Sequence, residues 1–303
     1  MPCYYPLDGF KSRTVNPSGK RNIVFNPSQG FRDQPVKVPC GQCIGCKLER
    51  SRQWATRCVH EASLYKQNCF ITLTYSPENL PADGSLNVRD YQLFMKRLRK
   101  KYKKQIRFFH CGEYGDKTRR PHYHAILFNH DFSDKKLYKT QNENNLYTSK
   151  TLDELWTLGI ATIGDVTFES AAYVARYCTK KVTGKKALEH YTDIDYSTGE
   201  ILNERRPEYT TMSRRPGIGK GWSEKFMDDV FPDDFVVLRG KKLRPPNYYL
   251  GQLEKVDPET HARIKAKRRR AGKINEQENS WMRLRVREEI QNYKYKKLVR
   301  TLE

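Results

Sequence analysis

The apolar and polar positions divide the chain into a patterned middle and two less regular ends. From Lys47 to about Gln67 there is neither proline nor glycine. Leu48, Trp54, Cys58, Ala62 and Tyr65 recur there near helical spacing, which predicts a helix. "CFITLTY" (69–75) alternates with β-branched residues and stops at "SPENLPADG", a strand followed by a turn. Asn87 is placed to cap a basic amphipathic helix over "VRDYQLFMKRLRKKYKK". "IRFFHCGEY" (106–114) and "HYHAILF" (122–128) then read as two strands of an antiparallel hairpin across the basic loop "GDKTRRP". "LDELWTL" predicts a short helix, "IATIGDV" a strand and "ESAAYVARYCTKK" a helix, so the order is β-α-β-β-α-β-α. That order predicts an α+β fold, a mostly antiparallel sheet flanked by helices.

Outside this middle the pattern weakens. Residues 1–46 are rich in Pro, Gly and Asn and read as loops, with "NIVF" and "VKV" as short strands. Beyond Gly184 come a basic glycine loop, "MSRRPGIGKGW", and a break at "LRPPNYY" before one or two polar, basic helices. The expected organisation is a cysteine-rich segment with its helix over 1–67, a core over 68–235 and a basic helical extension over 236–303. The sequence contains no internal repeat.

Charge adds a class of partner. The 303 residues carry 57 Lys and Arg against 35 Asp and Glu, a formal +22. Residues 239–303 alone hold 19 basic and 8 acidic side chains, half of the excess. Such a balance points to a polyanion, most simply nucleic acid. No stretch approaches the ~18 to 20 apolar residues of a membrane span. The start "MPCYYPLDGF" lacks the charged and apolar regions of a secretory signal, so the expectation is no membrane partner and reduced thiols.

Candidate chemistry lies in three places. His122 and His124 alternate on one strand and must share a face, with Tyr123, Ala125 and Leu127 on the other. The hairpin brings Glu113 towards them, giving two imidazoles and a carboxylate that could hold a divalent cation with positions left for a phosphate oxygen and water. Half-buried strand histidines with ordinary hydrogen bonds are the alternative. In "AAYVARYCTKK", Tyr173 and Tyr177 are one helical turn apart, with Lys180 and Lys181 a turn further on, and Ala171, Val174, Ala175 and Cys178 on the packing side. Such tyrosines can be a packing pair, or phosphoryl nucleophiles if a cation or lysine stabilises the phenolate. Of the eight cysteines, Cys40, Cys43 and Cys46 form C-x2-C-x2-C, which suggests a structural zinc site, with an iron–sulfur ligand set or unliganded thiols as the alternatives. The expected fourth ligand is Cys3, with Cys58 or His60 as alternatives.

Together these stretches resemble the His-hydrophobic-His (HUH) endonuclease superfamily, and more closely the rolling-circle replication initiators of gokushovirus-type microviruses. "FITLTY" is similar to the first family motif, "PHYH" to the metal motif and "YVARYCTKK" to the two-tyrosine nucleophile motif, while "PCGQCIGCKLERSRQW" is similar to the N-terminal region of the gokushovirus proteins. The resemblance implies Mg²⁺ or Mn²⁺ on His122, His124 and Glu113. It also implies attack by Tyr173 and Tyr177 on single-stranded origin DNA, a 5′-phosphotyrosine and a 3′-hydroxyl that primes a host polymerase. A host helicase and the cytoplasm of a bacterial host follow from the same resemblance. The competing readings are a plasmid or conjugative relaxase, and a non-catalytic zinc-containing DNA-binding protein.

Overall fold

Alternation along Asn68–Tyr75 fixes how the molecule is layered. Cys69, Ile71, Leu73 and Tyr75 enter one apolar cluster, and Phe70 enters the other. A computed structural model describes residues 3–115, 118–141, 144–177, 181–182, 186–195, 197–274 and 277–297, with the backbone alone at Gln141, Tyr177, Lys186, Lys273 and Ile274. In chain order the elements begin with β1 (Leu7–Val15), β2 (Arg21–Val24), β3 (Gly30–Val38), α1 (Ile44–Ala62), β4 (Asn68–Tyr75), α2 (Val88–Tyr102), β5 (Arg107–Tyr114), β6 (Pro121–Phe128), β7 (Lys136–Gln141), β8 (Asn144–Thr148), α3 (Lys150–Leu155), β9 (Gly159–Gly164) and α4 (Phe168–Tyr177). They continue with α5 (Lys186–Tyr191), β10 (Thr192–Ile194), β11 (Ile201–Glu204), β12 (Tyr209–Met212), α6 (Lys220–Lys225), α7 (Met227–Val230), β13 (Val236–Leu238), β14 (Lys241–Leu243), α8 (Asn247–Val256), α9 (Pro258–Ile274) and α10 (Trp281–Lys296). Two compact units result. Among the described residues, one joins those up to Arg50 with those from Lys267 to Lys297, and the other runs from Ser51 to Ala266.

The larger unit is built on a seven-stranded antiparallel sheet in the order β12-β5-β6-β4-β9-β8-β7. The expected α+β class, an antiparallel sheet flanked by helices, is the observed one. Tyr91, Phe94, Met95 and Leu98 of α2, with Leu152 and Leu155 of α3, pack on one face against Ile71, Leu73, Tyr123, Ala125, Leu127 and Ile163. Each such side chain contributes about 1.5–3 kcal/mol by leaving water. On the other face Ala55 and Cys58 of α1 and Ala171, Val174 and Ala175 of α4 pack on Phe70, Phe109, Ile126 and Phe128. Asn87 caps α2 as expected, its side chain accepting from the Arg89 N–H at 3.1 Å.

The structure differs from the sequence reading where apolar periodicity is faint. The first forty residues form a three-stranded sheet, β2-β1-β3, in which polar strands such as "LDGFKSRTV" give little alternation to detect. The hairpin β7–β8 and the edge strand β12 were not expected, and the described residues of the C-terminal region form three helices, α8 to α10, in place of one or two. Helix α1 begins at Ile44, ahead of the expected Lys47, because Gly45 is tolerated in its first turn, and it ends at Ala62.

Candidate active site

In the β5–β6 ladder Glu113 pairs with His122 and Cys111 with His124. Directly opposed residues of an antiparallel pair project from the same face. Glu113 Oε1 consequently lies 3.0 Å from His122 Nε2 and 2.9 Å from His124 Nε2. One ligand atom from each of the three lies within 4.8 Å of the others, and all three residues are buried.

The far side of each ring is fixed as well. His122 Nδ1 lies 3.1 Å from the Arg120 carbonyl oxygen, to which it donates, and His124 Nδ1 lies 3.0 Å from the Thr72 hydroxyl. With Nδ1 carrying the proton, each Nε2 turns its lone pair towards the carboxylate, the tautomer that metal ligation needs. A bare lone pair facing a carboxylate oxygen at that distance repels it, so the arrangement requires a proton or a cation between them. Burial works to raise the Glu113 carboxyl, but the imidazoles of His122 and His124, with a proton on Nε2 in place of a cation, outweigh it and hold it down to about 2. Two imidazoles and an ionised carboxylate suit a divalent cation, and the residues fit the group.

Helix α4 lies over the same face. The Tyr173 ring meets His124 edge-on at 5.0 Å between centroids and Phe70 at 6.4 Å, and the Arg176 guanidinium is 5.8 Å from its centre. Ala171, Val174 and Ala175 pack on the sheet as expected, and Tyr173, expected on the opposite, phenolic face, is buried as well. The physical reason is that α4 is covered on more than one side: the Ser51 hydroxyl of α1 donates to the Ala172 carbonyl at 3.3 Å. Lys181 is exposed beyond the helix end. Lys180, Cys178 and the side chain of Tyr177 lie outside the described residues.

Two participants escaped the sequence reading. Thr72 sits opposite His124 on β4, a position the alternation of "FITLTY" marks once the strand pairing is known. Arg120 bends its guanidinium back to the Tyr75 carbonyl at 2.8 Å, at the end of β4 nearest His122.

The smaller unit holds the thiol cluster. Sulfurs of Cys3, Cys40, Cys43 and Cys46 lie within 4.8 Å of one another, so a metal could be held there by the first-choice ligand set. Backbone N–H groups already point at them: Cys40 N–H to Cys3 Sγ at 3.2 Å and Tyr4 N–H to Cys43 Sγ at 3.4 Å. Burial works to raise the Cys40 thiol, but N–H groups of Cys43 and Gln42 outweigh it and bring it to about 7, whereas burial leaves Cys3 and Cys46 raised. Four sulfurs of which one is readily ionised call for a dication to hold the rest as thiolates. The alternative ligands are engaged elsewhere. Cys58 is packed in the sheet cluster, and His60 stacks on Trp222 at 3.5 Å with Nδ1 2.9 Å from the Tyr249 hydroxyl.

Comparison with known proteins identifies the family of the chain. The family profile of the replication-associated protein ORF2/G2P matches residues 68–182, the stretch from β4 through α4. The replication-associated protein VP4 of Bdellovibrio phage phiMH2K is 36% identical over 279 residues, 88% of this chain and 82% of that protein. The replication-associated protein ORF2 of Spiroplasma virus 4 is 34% identical, over 78% of this chain and 70% of its own. For the replication-associated protein ORF4 of Chlamydia phage 1 the identity is 31%, over 72% and 54%. No solved structure matches the chain. With more than four-fifths of a curated relative covered at this identity, the chain belongs to the replication-associated proteins of microviruses.

Proposed function

We propose that this protein initiates phage DNA replication as a metal-dependent nuclease of the His-hydrophobic-His type, which nicks single-stranded origin DNA, remains joined to it and later rejoins the strand. The observation that carries the reading is the convergence of His122 Nε2, His124 Nε2 and Glu113 Oε1, with the Tyr173 ring 5.0 Å from His124. Mg²⁺ or Mn²⁺ held there would polarise a non-bridging phosphate oxygen. A phenol of Tyr173 or Tyr177 attacks phosphorus: the Oη–P bond forms, the P–O3′ bond breaks, the phenolic proton is given up and the 3′-oxygen leaves to become a hydroxyl. Lys180 and Lys181 are the candidates for offsetting the phenolate charge. The 3′-hydroxyl would serve a host polymerase, with a host helicase opening the duplex, in the cytoplasm of a bacterial cell. The four thiols of the smaller unit are read as a structural zinc site.

The test is covalent capture on circular viral single strands with Mn²⁺. His122→Ala and His124→Ala should abolish the adduct while leaving most DNA affinity, because binding rests on many Lys and Arg contacts. Either single change, Tyr173→Phe or Tyr177→Phe, should leave adduct on the other tyrosine, and the double change none. An adduct that survives the double change, or maps to Tyr5, Tyr75 or Tyr191, puts the nucleophile elsewhere. Binding without any adduct in the unaltered protein returns the chain to the class of non-catalytic DNA-binding proteins.

A further inference from the structure

Among the described residues, the apolar cluster covers only half of the face that carries the triad. The apolar cluster formed with α1 and α4 takes in Phe109, Cys111, Ile126, Phe128 and Phe70, all on β5, β6 and the near end of β4. Across the rest of this face two rows of side chains continue from the triad. The first runs from Glu113 and His122 to Thr74 and Ile160. The second runs from His124 to Thr72 and Thr162, and the register of Tyr147 with Ile163 sets Thr148 next in line, followed by Lys136. Ile160 is 66% exposed although it lies in a strand of the main sheet. Thr72, Thr74, Thr162, Leu146 and Thr148 are half-buried, and Lys136 and Lys139 are exposed on the edge strand with Tyr138 between them.

We propose that this open half-face is the track of the single-stranded DNA flanking the scissile phosphate, leading from the triad across β4, β9 and β8 to the lysines of β7. The inference rests on the nuclease reading and adds the path of its substrate. A phosphodiester held at the triad belongs to a polymer that has to leave along the sheet, and the half-face starts from the same two rows. Its chemistry suits an unpaired strand: threonine hydroxyls can donate to phosphate oxygens, Ile160 and Tyr138 offer apolar surface to bases, and Lys136 and Lys139 supply positive charge at the exit. Among the described residues no element protrudes from this shallow face to enter a duplex groove. Strands lie ~4.8 Å apart, so β4 to β7 spans about 14 Å, room for roughly two to four nucleotides.

The test measures binding of a short fluorescein-labelled oligothymidylate to the full chain without divalent cation, so that nicking plays no part. Lys136→Glu with Lys139→Glu should weaken binding roughly tenfold and flatten its salt dependence. Lys96→Glu with Lys100→Glu, an equal charge change on α2 behind the opposite face, should alter it less than about twofold. Independently, benzoylphenylalanine at position 160 should photolabel the oligonucleotide, and the same residue at position 96 should not. Equal losses in the two double variants, or no labelling from position 160, overturns the track. A protein that passes these tests yet forms no adduct on viral DNA keeps the track and loses the nuclease reading.

Discussion

The hydroxyl of Thr72 does for His124 what the Arg120 carbonyl does for His122: it occupies Nδ1 and so aims Nε2. A carbonyl is always available along a backbone, but the hydroxyl depends on one side chain. Thr72→Val keeps the shape and removes the hydrogen bond, and Mn²⁺ affinity measured by calorimetry should fall about 10- to 100-fold. Thr72→Ser should restore most of it with an unchanged melting temperature. A Thr72→Val isotherm identical to that of the unaltered protein would remove Thr72 from the site. This dependence could not be read from the sequence, because it rests on which strand lies beside β6, and β4 is more than forty residues away in the chain.

At the scale of elements, legibility followed periodicity. The β5–β6 hairpin is two short apolar, aromatic-rich runs on both sides of a basic loop, so the meeting of Glu113 with His122 and His124 could be foreseen from the hairpin and the two-residue period of a strand. Helix α4 was read less well, since its burial depends on α1, whose packing no local pattern records. The link between α1 and β5 shows the same limit. Glu61 Oε1 lies 2.5 Å from Arg107 Nε, its other oxygen accepts from the Gly219 N–H at 2.7 Å, and Arg107 donates to the Pro216 carbonyl at 2.9 Å, all inside the protein. Glu61→Leu would strand a buried guanidinium and should cost about 3–5 kcal/mol in urea denaturation. A loss under about 1 kcal/mol would mean that water reaches Arg107. The thiol cluster was legible from spacing alone. Elemental analysis should find about one zinc per chain, lost with fold stability when Cys40, Cys43 and Cys46 are all changed to Ser, and metal-free protein purified without chelators would refute the site.

Across the whole molecule, acid stability is set by histidines that the fold keeps neutral. Burial lowers His60 and His130 to about 4 and His110 further below its ordinary value. The unfolded chain takes up these protons near pH 6.5, whereas folded His60 and His130 take them up only near pH 4, so stability is full above about 6.5 and falls as the pH drops through that window. His60 alone accounts for about 3 kcal/mol at most. The urea midpoint should therefore decline from neutral pH towards pH 4, and His60→Phe, which keeps a ring against Trp222, should make the decline shallower; a flat profile would show that the rings are hydrated. The position of β6 has a kinetic counterpart. It is laddered to β5 on one side and to β4 on the other, so fraying at the histidines would break two rows of hydrogen bonds together and approach the free energy of global opening. An ion held by His122 and His124 cannot escape by waiting for the strand to breathe. Its half-life in a chelator would then be insensitive to mild denaturant.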